Sequence, residues 1–250
     1  MSLNVIYTLW LRQLKKYFRA RSRIIGAIGQ PLLFLVALGY GLGSVFQRAG
    51  EGNYLRFLVP GIMAQTVLFS AVFFGINIIF DKQFGFLKET LVAPVSRLTI
   101  MLGGALGGAT TSVMQGILVF IIALFMGFRP YNYATLPLSL LVLVILSVAL
   151  TCFSSGFGAI VNDFQGFQAI NQFLIFPLFF LSGSLYPLTN APTALRIIAD
   201  LNPLSYAVDA LRASLINQSH YGYAKDFSVL FVTVIILMSF GAYQFRRIQV

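Results

Sequence analysis

The sequence has few of the residues that most enzymes and metal sites depend on. It contains one cysteine, Cys152, and one histidine, His220, among 250 residues. A lone cysteine cannot form an intrachain disulfide, and these two residues cannot supply the usual ligands of a zinc site. The phosphate-binding sequence Gly-x-x-x-x-Gly-Lys is also missing, since no Gly-Lys pair occurs. We therefore predict that the chain has no catalytic residues, holds no metal or cofactor, and does not hydrolyse ATP through such a loop.

Charged residues are equally scarce. They make up 10% of the chain, against about 25% in ordinary globular domains, while hydrophobic residues make up 58%. Such a composition excludes a water-soluble domain. The 17 Lys and Arg exceed the 7 Asp and Glu and leave a net charge of +10. A nucleic-acid-binding domain would gather its cations on one face, whereas these lie between long apolar runs, so we predict no nucleic-acid partner.

Six uncharged runs of 19 or more residues dominate the chain. A bilayer core about 30 Å thick is crossed by roughly 20 helical residues. Backbone polar groups in lipid must be satisfied within the segment, which favours helices. The predicted fold is a single all-α membrane domain over residues 1–250, with spans at 24–47, 57–80, 98–128, 137–162, 166–187 and 227–245.

The distribution of cations between these runs predicts the orientation. With the N-terminus in the cytoplasm, the inner segments hold eleven cations and three carboxylates, a net charge of +8. The outer segments hold six cations and four carboxylates, a net charge of +2. Cytoplasmic loops of membrane proteins carry the excess of Lys and Arg. We therefore expect both termini to lie in the cytoplasm and the protein to reside in the cell (inner or plasma) membrane.

Residues 1–23 have the periodicity of an amphipathic helix. An apolar stripe recurs every three to four residues, which is typical of a helix lying in the membrane interface; it consists of Leu3, Tyr7, Trp10, Leu14 and Tyr17. Two interpretations stay open: an anchor on anionic lipid, or a connector helix that transmits force from a cytoplasmic partner. The candidate connector residues are Trp10, Arg12, Lys15, Lys16 and Arg19.

Small residues line one face of the third predicted span. Gly103, Gly104, Gly107 and Gly108 are followed at four-residue spacing by further small residues. Such spacing lets helix backbones approach closely in lipid. We predict a tightly packed helix, with its partner either in the same subunit or across a subunit interface.

None of the six runs carries a charged side chain. Ion-coupled transporters usually place ionisable groups near the middle of the membrane. We therefore expect the energy for any transport to come from another protein. A secondary carrier or channel that uses backbone carbonyls, and a structural membrane protein without transport activity, remain alternatives.

Two segments outside the apolar runs carry more specific patterns. Residues 81–97 mix charge with apolar residues, which predicts a short helix ending near Pro94. That helix could contact a partner protein or rest on the bilayer. Residues 188–216 are too broken to span, so we expect re-entrant or interfacial helices that act as an outer lid. Within this second segment Asn202 and Pro203 suit a helix start, and Asp209 and Arg212 have the spacing of an ion pair.

The two segments carry a family resemblance. Residues 81–97 read Asp-Lys-x-x-Gly-Phe-Leu-Lys-Glu-x-Leu-Val-Ala-Pro-Val-Ser-Arg. Later come Leu-Ser-Gly-x-Leu-Tyr-Pro-Leu at 181–188 and Asn-Pro-Leu-Ser-Tyr-x-Val-Asp-Ala-Leu-Arg at 202–212. In this order, and with the glycine-rich span between them, they resemble the type-2 ABC transporter permeases. The greatest similarity is to the daunorubicin-resistance and nodulation-factor exporter branch, over nearly the whole chain.

The resemblance implies a half-transporter: two copies form the pathway, and each docks a separate ATPase that binds ATP and Mg²⁺. It implies that residues 81–97 are the coupling loop, with matching positions at Asp81, Gly85, Glu89, Pro94 and Arg97. It also implies an extracellular gate at Asn202, Pro203, Asp209 and Arg212. Relatives commonly have Arg-Glu where this chain has Lys82-Gln83, which puts one acidic contact to the ATPase in doubt.

The expected mechanism joins these features. ATP binding closes the partner ATPases, which pull on the coupling loop and the N-terminal helix and rock the two bundles. The path between the permeases would be lined by uncharged and aromatic groups, with candidates near the expected kink at Pro177; these are Phe173, Phe176, Phe179 and Phe180. The alternative is that these rings face lipid. An uncharged path favours amphiphilic or hydrophobic cargo, such as drugs (as in multidrug resistance), lipids or lipid-linked glycans.

Overall fold

The computed structural model describes residues 3–48, 52–92 and 94–248. Residues 1–2 of the predicted amphipathic helix and Ala93 of the predicted coupling loop lie outside the described residues. In the described part the chain is helical, with short 3₁₀ turns at 133–135 and 188–190 and no strands. The helices are α1 (Leu3–Arg19), α2 (Arg21–Gly41), α3 (Gly43–Arg48), α4 (Tyr54–Gln83), α5 (Phe86–Val92), α6 (Arg97–Phe125), α7 (Leu136–Ile160), α8 (Phe164–Phe180), α9 (Thr193–Leu201), α10 (Pro203–Ile216) and α11 (Tyr223–Arg246).

Short polar side chains cap the starts of four helices. The Asn53 side chain accepts from two backbone N–H groups at the start of α4, and Ser96 accepts from Thr99 N–H at the start of α6. Asp163 and Asn202 do the same for α8 and α10. Each cap satisfies a backbone donor that has no partner within the helix. These residues therefore determine where the apolar helices begin.

Five helices are long and apolar enough to cross a membrane. They lie at 24–41, 54–83, 97–125, 133–160 and 223–246, and they confirm an all-α integral membrane fold. The predicted fifth span corresponds to α8, which has 17 residues and ends three residues after Pro177. The predicted first span is divided, because α2 ends at Gly41 and α3 begins at Gly43. The count of six spans therefore stays a prediction.

The second predicted span forms the centre of the bundle. Helix α4 contacts α2, α6, α7, α8 and α10, and its Leu58, Ile62 and Leu68 are almost fully buried. Helix α7 lies between α4 and α11. Lipid tails are as apolar as these side chains, so close van der Waals packing and hydrogen bonds hold such helices together.

The glycine face of α6 allows two close contacts. A Cβ atom at Gly107 would lie 2.5 Å from Gln13 Cβ on α1, and one at Gly108 would lie 2.6 Å from the Phe74 ring on α4. Both distances are too short for a side chain, so glycine is required at each position. The prediction of a tightly packed helix is confirmed, and the packing lies within one chain.

The predicted outer lid consists of two helices with different surroundings. All residues of α10 from Leu204 to Leu215 are buried, in contact with α4, α7 and α11. Helix α9 instead exposes Ile197, Ile198 and Leu201. Helix α10 is therefore an internal part of the bundle, while α9 lies at the surface beside α10.

Candidate docking and gate sites

Asp81, near the end of α4, connects the 81–97 segment to α1. Its Oδ1 lies 3.0 Å from Lys16 Nζ and 3.4 Å from Arg12 Nη2, and its side chain is 15% exposed. The Arg12 guanidinium also lies 5.9 Å from the centre of the Phe86 ring on α5. Two predicted connector residues thus contact a predicted coupling residue. The structure brings the two predicted elements together in one polar cluster.

Lys82 and Gln83, which depart from the usual family pattern, contact the end of α7. Lys82 Nζ donates to Ala159 O at 3.0 Å and to Asn162 Oδ1 at 2.8 Å, and Gln83 Nε2 donates to Asn162 O at 3.3 Å. A cation near the C-terminus of a helix satisfies its last carbonyl groups and its dipole. These two residues therefore attach α4 to the α7–α8 connection.

Gly85 forms the turn between α4 and α5. Its φ of +80° lies in the left-handed region, where a side chain would be strained. Phe84, just before the turn, is 70% exposed, and Val92, at the end of α5, is 85% exposed. The predicted docking residue Glu89 is also exposed and has no side-chain partner among the described residues.

Arg97 anchors the far end of the same segment. Its Nη1 donates to Arg246 O at 2.7 Å and to Ile248 O at 2.8 Å, at the C-terminal end of α11. Pro94, three residues earlier, is exposed. The segment is thus held at both ends by contacts within the chain; between the ends Leu87 is buried against the bundle, while Phe86 and Val92 are exposed.

The remaining connector residues divide by their contacts. Trp10 Nε1 donates to Thr110 Oγ1 of α6 at 3.0 Å, which ties α1 to the bundle. Lys15 and Arg19 are exposed.

At the other end of the bundle, the Asn202 side chain links α8 to α10. Its Oδ1 accepts from Leu204 N–H at 3.0 Å and so caps α10, while its Nδ2 donates to Leu178 O of α8 at 2.7 Å. Pro203 occupies the first position of α10, where its missing N–H costs nothing. The predicted helix start is confirmed, and it also attaches α8.

Asp209 does not form the predicted ion pair with Arg212. Its carboxylate instead accepts from Ser219 Oγ at 2.9 Å and from the N–H groups of His220 and Tyr221, each at 2.8 Å. The spacing along the helix permitted an ion pair, but the turn after α10 supplies backbone donors aimed at the carboxylate. Asp226 at the start of α11 interacts with the Asp209 carboxylate, is fully buried, and has no hydrogen-bond donor on either oxygen.

Arg212 contacts the 181–188 motif. Its Nη2 donates to Gly183 O at 2.8 Å and to Ser184 O at 3.0 Å, and the guanidinium carbon lies 3.7 Å from the centre of the Phe57 ring. Burial lowers the pKa of Arg212 to about 9, while the Asp209 carboxylate raises it. The side chain therefore remains charged at neutral pH and holds α10, α4 and the 181–188 turn together.

The four phenylalanines of α8 do not share one environment. Phe173 is 83% exposed, and Phe176 and Phe180 are partly exposed. Phe179 is fully buried and packs edge-to-face on Phe34 of α2. Phe179 is thus a core residue in this structure, and three of the four rings remain candidates for a path.

Several contact residues were not predicted from the sequence. Phe57 and Asp226 lie far in sequence from the residues they contact, and the pattern of the chain contains no signal that joins them. The polar residues inside apolar runs were a usable signal, since such residues are costly in lipid. Gln65 and Gln115 are buried examples.

With these sites described, comparison with known proteins decides the family. Residues 4–216 match the family model described as "ABC-2 type transporter". The chain belongs to the ABC-2 type transporter family. Members of this family are membrane permeases of ABC transporters and not enzymes, and membership implies an ABC ATPase partner in general.

Individual relatives agree with this ABC-2 assignment. The chain is 33% identical over 196 residues to the putative transport permease ycf38 of Cyanophora paradoxa, covering 76% of this chain and 66% of that protein. It is 26% identical over 235 residues to the inner membrane transport permease YadH of Escherichia coli, covering 91% and 89%. Nodulation protein J of Sinorhizobium fredii is 25% identical over 248 residues, covering 96% and 93%. The ABC-2 protein described here is thus a transport permease.

Proposed function

We propose that this ABC-2 permease is the membrane subunit of an ATP-driven exporter, and that its separate ATPase docks on residues 81–97. One observation carries the proposal: the segment is anchored at both ends and exposes apolar side chains between the anchors. Asp81 pairs with α1 and Arg97 bonds to the end of α11. Between them Phe84, Phe86 and Val92 are at least half exposed.

This arrangement suits the transmission of force. A partner that grips α5 pulls on α4 through the Gly85 turn, on α1 through Asp81, and on α11 through Arg97. The ATPase, which carries ATP and Mg²⁺, must bind the segment with different affinity in its open and closed states to move the bundle. The predicted connector helix α1 moves with α4 in this scheme because of its ion pairs to Asp81.

The proposed path lies between two copies of the chain, beside α8. Phe176 lines a cavity of about 250 Å³ between α2, α4 and α8. Its walls combine aromatic and uncharged polar groups, including Phe69, Phe73, Asn171 and Gln172. Such a surface favours an amphiphilic or hydrophobic cargo over an ion. The buried Arg212 and Asp209 stabilise the outer end of this path as the gate.

The location follows from the same reasoning. We propose that the protein lies in the cell (inner or plasma) membrane, with both termini in the cytoplasm and residues 81–97 facing the ATPase. The excess of cations on that side supports this orientation. The relative from Escherichia coli is named an inner membrane permease.

Co-purification tests the docking assignment. The chain is expressed with a candidate ABC ATPase, and the complex is captured through a tag on the ATPase. Val92→Asp and Glu89→Ala should reduce the recovered permease, because they alter exposed side chains on the proposed contact. The matched control Tyr131→Asp changes a residue that is 67% exposed, outside residues 81–97. Equal recovery of Val92→Asp and wild type would contradict the docking surface.

Transport is tested with the reconstituted complex in liposomes. We expect ATP-dependent movement of a fluorescent amphiphile and none with the permease alone. Accumulation by the lone permease under an ion gradient would identify a secondary carrier. Absence of movement with every ATPase that binds it would favour a structural role.

A further inference from the structure

A second cavity lies within a single chain, between α1, α2, α4 and α6. Its volume is about 370 Å³, which is within the range of small-molecule sites, roughly 300–1,000 Å³. One glutamine from each of the four helices lines it; these are Gln13, Gln30, Gln65 and Gln115. Gln65 and Gln115 are buried, and amide side chains inside apolar helices are costly unless they have partners. Their convergence indicates a polar ligand.

Two buried polar groups on the cavity wall have no hydrogen-bond partner. They are Gln65 Oε1 and the Tyr17 hydroxyl, on side chains that are 3% and 7% exposed. A buried polar group without a partner has lost its hydrogen bonds to water and gained none in return, which destabilises the protein. A ligand in the cavity can remove that cost. Because an amide oxygen only accepts hydrogen bonds, the ligand must offer an O–H or N–H donor to Gln65.

Apolar side chains form a second part of the wall, beside the polar Thr66, Ser70, Asn77 and Thr111. Phe69, Phe73 and Phe74 come from α4, and Ala27 and Pro31 come from α2. A site whose wall combines apolar and polar groups binds molecules that have both characters. Water alone would satisfy the two orphan groups and leave the aromatic surface hydrated. An amphiphile matches both parts of the wall.

The charge of the cavity argues for an uncharged ligand. Lys16 is the one charged residue among the described residues that line it. Its ammonium is already paired with Asp81 at 3.0 Å. Among the side chains that the structure describes, the wall holds no unpaired cation to compensate an anionic head group and no carboxylate to compensate a cation.

We propose that this cavity binds an uncharged amphiphile whose hydroxyl or amide donor meets Gln65 and whose apolar body lies against the α4 phenylalanines. The identification of this ligand as cargo rests on the proposed exporter function. Binding itself does not depend on it. The same chemistry is found in neutral membrane lipids and in small soluble amphiphiles.

Photolabelling in nanodiscs tests the site. A diazirine-bearing monoacylglycerol is the neutral ligand, and a diazirine-bearing fatty acid of equal chain length is the anionic comparison. Labelled peptides are mapped by mass spectrometry. Wild-type protein should be labelled by the monoacylglycerol on the four helices that line the cavity. Competition by long-chain monoacylglycerol in the bilayer, or by short-chain hexanoylglycerol from water, separates a lipid source from a soluble one.

Two glycines of α2 provide a matched pair of variants. A Cβ at Gly26 or at Gly29 meets no atom within 4 Å, and Gly26 lines the cavity whereas Gly29 does not. Gly26→Leu should fill the space and abolish labelling, while Gly29→Leu should leave it unchanged. Gln65→Leu removes the acceptor without opening a hole. It should lower labelling about fivefold, the effect of one buried hydrogen bond.

The outcomes separate the ligand from its alternatives. Equal labelling of wild type and Gly26→Leu overturns the site, and so does the absence of saturable labelling in wild type, which would leave water as the occupant. Stronger labelling by the fatty acid overturns the uncharged class. A change in oligomeric state with Gly26→Leu, at unchanged labelling, assigns the opening to a second copy of the chain and overturns ligand binding. Saturable labelling without ATP-driven transport keeps the site and contradicts the exporter function.

Discussion

The Arg212 guanidinium stacks on the Phe57 ring at 3.7 Å and connects α10 to α4. The same group donates to two carbonyl oxygens of the 181–188 turn, Gly183 O and Ser184 O. A cation over an aromatic face gains about 2 kcal/mol or more when both are shielded from water. One side chain therefore couples three parts of the proposed gate.

Replacing Arg212 should loosen the gate end of the bundle. Arg212→Ala removes the stacking and leaves two carbonyl groups without a donor, at a cost of about 2–4 kcal/mol. We expect a lower midpoint of thermal unfolding in detergent and a larger loss of transport than of ATPase binding. Arg56→Ala is the control, since that arginine is exposed and donates one long bond, 3.3 Å, to Arg129 O. Equal losses of transport and of ATPase binding would argue against a gate role.

Asp226→Asn should stabilise the protein. Asp226 is fully buried without a donor and lies against the Asp209 carboxylate. An amide cannot ionise beside Asp209 and can donate to it at every pH, a gain of about 1–2 kcal/mol wherever both carboxyl groups would otherwise be ionised. We expect a higher midpoint of thermal unfolding.

Asp209→Asn is the contrasting variant. It weakens the hydrogen bonds that the side chain accepts from Ser219, His220 and Tyr221. The midpoint of thermal unfolding should therefore fall. If both aspartate variants lowered it equally, Asp226 would have a partner that compensates its charge.

The two faces of the α6 glycine cluster should respond differently to leucine. Gly107→Leu would collide with Gln13 and displace α1, whereas Gly108→Leu would collide with Phe74 on α4. Overpacking of this kind costs about 1–3 kcal/mol, so both variants should unfold at lower temperature. Trp10 is the single tryptophan and bonds α1 to Thr110. Its emission should shift to the red in Gly107→Leu and stay unchanged in Gly108→Leu and in the control Gly43→Leu.

Asp81→Asn should uncouple α1 from α4 without unfolding the bundle. The ion pairs with Lys16 and Arg12 are partly exposed, so each contributes about 1 kcal/mol or less to stability. We expect an unchanged thermal midpoint, normal recovery of the ATPase, and less transport per ATP hydrolysed. The control is Lys15→Gln, because Lys15 lies on α1 next to Lys16 and takes no part in the ion pairs with Asp81. A loss of ATPase recovery in Asp81→Asn would instead place Asp81 in the docking contact.

Much of the fold was predictable because lipid imposes simple rules. Long uncharged runs must be helices, and five of the predicted spans are helices of sufficient length. The glycine face of α6 and the cap at Asn202 were also predictable, because each depends on residues a few positions apart. The end of α8 could not be predicted in this way. Pro177 lies inside that helix, and because the sequence stays apolar beyond it, the pattern does not show where the helix ends.

The contacts of the candidate sites were harder to predict. The spacing of Asp209 and Arg212 allowed an ion pair, yet each side chain has other partners. Lys82 and Gln83 looked like a departure from the family pattern and instead bond to the α7–α8 connection. Each of these choices is a competition between partners that are distant in sequence.

By itself the sequence determined that the chain is a helical membrane protein, that α10 begins at Asn202 and Pro203, and which family its motifs belong to. Hydropathy, caps and motifs are local properties, so a linear pattern is enough to determine them. Only the tertiary structure decided that α10 is buried, that Phe179 is a core residue and that four glutamines meet in one cavity. Burial depends on which helices come together, and that packing is a property of the whole bundle.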